Sequence, residues 1–151
     1  MSLNTIAKPA STLFLPLSDD LLTGAKLIEQ ASNWQEKYRQ IMLLGKKLPS
    51  LADEFRLESA QVKGCESQAW LYHQHINDQH FYLADSDARI VKGLIGLLLV
   101  ATQGQTSSQI AQFDVSAYFE NLGLNGQLSP SRTNGLHALA HAIKHYATET
   151  N

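Results

Sequence analysis

Only one of the 151 residues is a cysteine: Cys65, within the segment QVKGCESQAW. A lone thiol cannot close an internal disulfide, so in a reducing compartment it is either an inert small hydrophobe or a working nucleophile. Three local features favour work. Gly64 frees the backbone just before the thiol for a tight or left-handed conformation. Lys63 puts positive charge nearby, which favours thiolate over thiol. The segment also lies where one expected strand hands over to the next, and loops held by a rigid sheet are where chemistry is presented. Glu66 opposes Lys63 in its effect on thiol pKa. On the chemistry alone, a reactive thiol is favoured over an inert one.

Other titratable residues carry less. His137, His141 and His145 recur at steps of four, which lines one helix face, and His73, His75 and His80 cluster farther upstream. The HALAH spacing lacks the glutamate of a zinc-protease motif, and a zinc site needs further ligands. Leu136, Leu139 and Ile143 occupy the inward face of the same helix, which leaves these histidines to solvent; no metal is expected. Asp85 and Ser86 read as caps, with acid at the positive end of a helix. Arg132 falls in the first turn of the last helix, where a cation opposes the dipole and calls for a partner. Trp34 and Trp70 read as core aromatics.

These residues must be positioned by a modest chain. Hydrophobic residues make up 44% and charged residues 17%, with a net charge of −2. That composition is globular and large enough for one core. No Lys/Arg block suggests nucleic acid or an anionic membrane. The start shows no basic leader, and the longest apolar run, GLIGLLLVA, is far short of a membrane span. A cytoplasmic protein is expected.

Residues 1–17, with Pro9 and Pro16, read as a loose arm before one domain over 18–151. Ser18 caps a first expected helix. Asn33 caps a second, with Glu36 completing a capping box, and Trp34, Tyr38, Ile41, Leu44 and Leu48 form its apolar face. SQAWLYHQHI and QHFYLA flank Asn77-Asp78, a hairpin signal, and AQVKG is placed as a third short strand. A buried helix capped near Asp85 or Ser86 runs to Gly104. Two short helices follow, the second closed by Gly123, and Ser129-Pro130 opens the last. The fold class is α+β: a small antiparallel sheet of about three strands against several helices.

VKGCESQAWL (62–71), DSDARIVKGL (85–94) and LSPSRTNGLHAL (128–139) resemble three ordered signatures of the SufE family, the sulfur-acceptor partners of cysteine desulfurases. NWQEKYRQIMLLGKKLP (33–49) is similar to that family's preceding helix. The wording of KYRQIMLLGKKLP and NLGLNGQLSPSR leans towards the CsdE branch. The resemblance implies the fold shared with IscU-type iron–sulfur scaffolds, though one cysteine cannot by itself hold a cluster. It implies that a pyridoxal-phosphate desulfurase, SufS- or CsdA-like, passes persulfide sulfur to Cys65. This chain would have no cofactor of its own and would not be a stand-alone enzyme. Onward delivery would go to iron–sulfur assembly or to an E1-like tRNA-modification enzyme. The resemblance further implies a resting thiol sheltered by apolar residues that swings out on docking. Gly64 and Lys63 would support the thiol, and Asp87 and Arg132 would lie near the cysteine loop and partner face.

Two other functions remain open on the residues. One is a cysteine-nucleophile enzyme, a hydrolase or thiol peroxidase using a histidine as base; no local signature of either accompanies Cys65. The other is a binding module that regulates a desulfurase without covalent transfer.

Overall fold

Capping side chains open the helices where the sequence places them. In the computed structural model, which describes residues 9–14 and 17–149, Ser18 Oγ accepts the Leu21 N–H at the head of α1 (Asp19–Gln30). Asn33 Oδ1 accepts the Glu36 N–H at 2.8 Å to start α2 (Trp34–Lys46). Only half of the expected capping box forms. The Glu36 carboxylate turns outward to Arg39 and Gln40, where charge-assisted pairing competes successfully for it.

Strands β1 (Ala69–Ile76) and β2 (Gln79–Ser86) pair antiparallel from Ala69↔Ser86 to Ile76↔Gln79. Asn77 and Asp78 turn the hairpin with φ of 51° and 67°, the two positive values that a tight primed turn needs. Among the described residues the sheet has these two strands. Where a third was expected, a single Gln61↔Trp70 bridge remains. The chain arrives there from a one-turn 3₁₀ helix (Glu58–Ala60) and turns away at once into the cysteine loop, so no further ladder can form.

Helix α3 spans Arg89–Thr102, later than expected. Asp85 and Ser86 are not its caps; they end β2, and Ala88 occupies the cap position with no side-chain bond. Gly104, at φ 76°, closes the following turn. Short helices α4 (Ser107–Ala111) and α5 (Val115–Asn121) follow, capped by Thr106 and Asp114, with Gly123 at φ 75° beyond the second. Helix α6 covers Pro130–Glu149, and Ser129 Oγ accepts the Arg132 N–H at its start.

Helix α3 is the centre of the core, with Leu94, Ile95, Leu97 and Leu98 almost fully buried. On one side it crosses α2 at very short range, Gly45 and Gly93 facing one another. Elsewhere it meets β2 and α6, whose Leu136, Leu139, Ala140 and Ile143 are buried as their spacing indicates. Tyr82 ties hairpin to helix, its hydroxyl donating to Ile143 O at 2.7 Å. Trp70 is buried in a smaller cluster with Leu51, Ala60 and Leu83, and Trp34 is half-buried, edge-on to Tyr38. The architecture is α+β, as the order of elements indicates. Of the expected arm, residues 1–8 and 15–16 lie outside the described residues; Ser11–Leu13 makes one 3₁₀ turn and Phe14 packs on the smaller cluster. No helix among the described residues is long and apolar enough to cross a membrane.

Candidate functional site

The cysteine loop is closed at its root by backbone. Val62 N–H donates to Ala69 O at 2.8 Å. Gln68 O accepts both the Ser86 hydroxyl, at 2.6 Å, and the Asp87 N–H, at 3.1 Å. Behind that root lies Asp85, with a side chain 1% exposed. Its Oδ2 accepts Leu51 N–H and Arg56 Nη2, and its Oδ1 accepts Ser86 N–H and faces Lys92 Nζ at 3.3 Å. Burial alone would raise the Asp85 pKa, but the two backbone N–H groups and Lys92 outweigh it and hold the carboxyl below its ordinary value. Arg56 also lies 5.0 Å over the Trp70 ring and bonds Leu51 O, so one guanidinium links three segments at the loop's root. Removing one partner from such a buried, paired carboxylate is costly, because the others are left desolvated.

The tip of the loop is held far less. Gly64 takes φ 91°, a left-handed conformation that favours glycine, and approaches Ala138 of α6. Cys65, half-buried, rests against Gly135 one helical turn earlier on the same face. Its thiol opens on a cavity of about 290 Å³ with apolar contributions from Val91, Leu94, Leu136 and Leu139 and polar ones from Ser129 and Arg132. Burial pushes the thiol pKa up; the Ser67 backbone N–H bond opposes this, while Asp87 and Glu66 add to it. Seated this way, the half-buried thiol is harder to ionise than an exposed one.

Of the residues expected around the thiol, Arg132 shares the cavity with Cys65, and Asp87 acts on it through its charge while its backbone anchors the loop root. Gly64 supplies the turn. Lys63 does not belong to the group: it is exposed and borders a separate groove with Val62, Ala138 and His141. The expected help from its positive charge is absent at rest, where acidic neighbours prevail. Lys63 lines that groove and not the cavity that Cys65 lines. No described residue lining the cavity is a histidine, so a base of that type is not at hand.

The histidines do other work. His137, His141 and His145 are exposed. On the hairpin, His75, His80 and His73 stack in sequence, and His73 also stacks on Tyr146 of α6. Among the described residues no group of three His, Cys, Asp or Glu is arranged to hold a metal. Reading the sequence missed Gly135 and the Asp85–Arg56 pair. Gly135 left a signal: a glycine inside the helical run NGLHALAHAI lowers helix propensity without an evident turn to explain it.

The family model described as "SufE: Fe-S metabolism associated domain" matches residues 24–147. The chain belongs to the SufE family. Within that family it stands on the CsdE branch: the sulfur acceptor protein CsdE of Escherichia coli (strain K12) is 42% identical over 113 residues, covering 74% of this chain and 77% of the relative. The SufE-family fold is shared at greater distance. The solution structure of a hypothetical protein from Thermus thermophilus superposes with a TM-score of 0.67 at 17% identity, covering 89% of this chain and 96% of that one.

Proposed function

We propose that this protein accepts sulfur on Cys65 from the persulfide of a pyridoxal-phosphate-dependent cysteine desulfurase, stimulates that enzyme, and relays the sulfur to iron–sulfur cluster assembly or a related sulfur-trafficking route. The reading is supported by the name of its CsdE relative and by the family to which the chain belongs. One structural observation carries it: the sole cysteine sits on a loop fastened at its root and lightly seated at its tip. Transfer needs the Cys65 thiolate to attack the outer sulfur of the donor persulfide. The donor S–S bond breaks as the new one forms, and the donor cysteine leaves as thiolate, with no net oxidation. Leaving the seat relieves the burial that raises the thiol pKa, so presentation favours the thiolate that the attack needs. In this reading Asp87, which acts on the thiol through its charge, and Arg132, which shares its cavity, meet that partner.

Incubation with a desulfurase and free cysteine should add about 32 Da, one sulfur atom, to Cys65. Cys65→Ser should remain unmodified and fail to stimulate the desulfurase. A serine variant that stimulates as well as wild type would overturn the relay.

A further inference from the structure

Helix α6 contains a glycine that its own backbone does not require. Gly135 lies five residues inside the helix, is buried and does not have positive φ, so neither a turn nor a cap explains it. Glycine there is a markedly poorer helix former than alanine. What it leaves open is the place of the Cys65 sulfur. A methyl on Gly135 would lie 3.0 Å from Sγ and 3.8 Å from the cysteine's Cα and Cβ. One turn along, the corresponding atom on Gly64 would lie 3.2 Å from the Ala138 methyl. Two small residues of α6 thus receive the two consecutive residues at the loop tip.

We infer that Gly135 is a positioning residue that seats the resting thiol, and that side-chain size at position 135 sets how often Cys65 is presented to a reaction partner. The inference deepens the sulfur-acceptor reading but concerns the isolated molecule. The balance works because the opposing parts differ in strength. The loop root is pinned by Gln68 O and the Asp85 network, so a crowded seat moves the tip and leaves the root fixed. The tip makes a sulfur contact and a methyl contact with α6, both of which can yield by small shifts. The adjoining cavity of about 290 Å³ leaves room for the sulfur to move without forcing the helix away.

The test reads the thiol with iodoacetamide, which needs no desulfurase. Alkylation of Cys65 in the full-length protein should be about threefold faster in Gly135→Ala, through more frequent local opening of the tip, and faster still in Gly135→Leu. Ala138→Leu, which crowds the other half of the seat, should also accelerate it. Thermal unfolding is measured alongside, because alanine at 135 regains helix propensity and should leave the melting temperature near or above wild type. Gly96→Ala, in the core against Leu44, serves as the control for general loosening. Unchanged or slower alkylation in the folded 135 variants overturns the inference. So does an equal acceleration in Gly96→Ala. If the 135 variants do not fold, a folded Ala138→Leu decides by the same criterion. Sulfur loading from a desulfurase is scored separately: faster alkylation without loading keeps the seat and removes the acceptor function.

Discussion

At the crossing of α2 and α3, a methyl on Gly93 would sit 2.2 Å from Ile41 O and 2.8 Å from its carbonyl carbon. At the contact of α6 with the cysteine loop, a methyl on Gly135 would meet the Cys65 sulfur at 3.0 Å and nothing else nearer than 3.8 Å. The first glycine lets backbone touch backbone, and neither helix can give way without moving the core around Leu94 and Leu98. The second lets a helix touch the end of one side chain on a loop. The same residue type therefore builds a fixed joint in one place and a yielding seat in the other. What differs is whether the atom opposite belongs to the frame or to the part that must act.

The sharpest way to break this comparison is to substitute both glycines alike. Gly93→Ala should cost about 3 kcal/mol or more, since overpacking against backbone cannot be relieved by a rotamer change. Gly135→Ala should change stability by less than about 1 kcal/mol, propensity and crowding acting in opposite senses. Urea unfolding of the two variants measures the difference. Equal losses would mean that the loop contact is as rigid as the helix crossing.

Much of the frame was legible because local chemistry and the final fold agree. Ser18, Asn33, Asn77-Asp78, Ser129-Pro130 and the apolar face of α6 each announce an element that forms. The misreadings occur where distant partners decide. Asp85 and Ser86 look like caps in sequence, but Leu51, Arg56 and Lys92, far off along the chain, hold Asp85 at a strand end. Lys63 adjoins Cys65 in sequence, yet it borders a groove along α6 that is separate from the cavity on which the thiol opens. Cys65 itself was identifiable by its uniqueness. Its seat was not, because the space left by a missing side chain appears only when α6 is laid against the loop.

Helix α6 joins both kinds of contact, which gives a second, intermediate test. Its far end is fastened: Ser107 donates to Ala147 O at 3.0 Å, and His80 Nε2 lies 2.7 Å from the same hydroxyl. With that hydroxyl's proton committed, His80 Nε2–H donates to Ser107, leaving His80 Nδ1 to accept from His73 Nε2–H at 2.7 Å. The chain suits neutral imidazoles. Burial, then the nearby His80 and His75, pull the His73 pKa from 6.5 down to about 4, and burial also lowers that of His80. A depressed histidine stabilises fully above its unfolded value and loses that contribution as pH falls. Melting temperature should therefore decline from pH 6.5 towards 4, with a smaller slope in His73→Phe. An unchanged slope would remove this fastening from the frame.

The smallest expected effects lie at the seat itself and concern charge. In the isolated protein, Lys63→Ala should leave Cys65 alkylation at neutral pH nearly unchanged, because Lys63 borders another groove. Glu66→Gln should accelerate it by roughly twofold, since removing one carboxylate removes the weakest of the contributions that hold the thiol protonated. Alkylation rates measured across pH separate this from a change in seating. A charge effect shifts the midpoint of the profile, whereas an opened seat chiefly raises the plateau reached once the thiol is ionised. If Lys63→Ala slows alkylation more than Glu66→Gln speeds it, the lysine reaches the sulfur during its excursions from the seat. The presented thiol would then be activated within this chain, before any desulfurase supplies a cation.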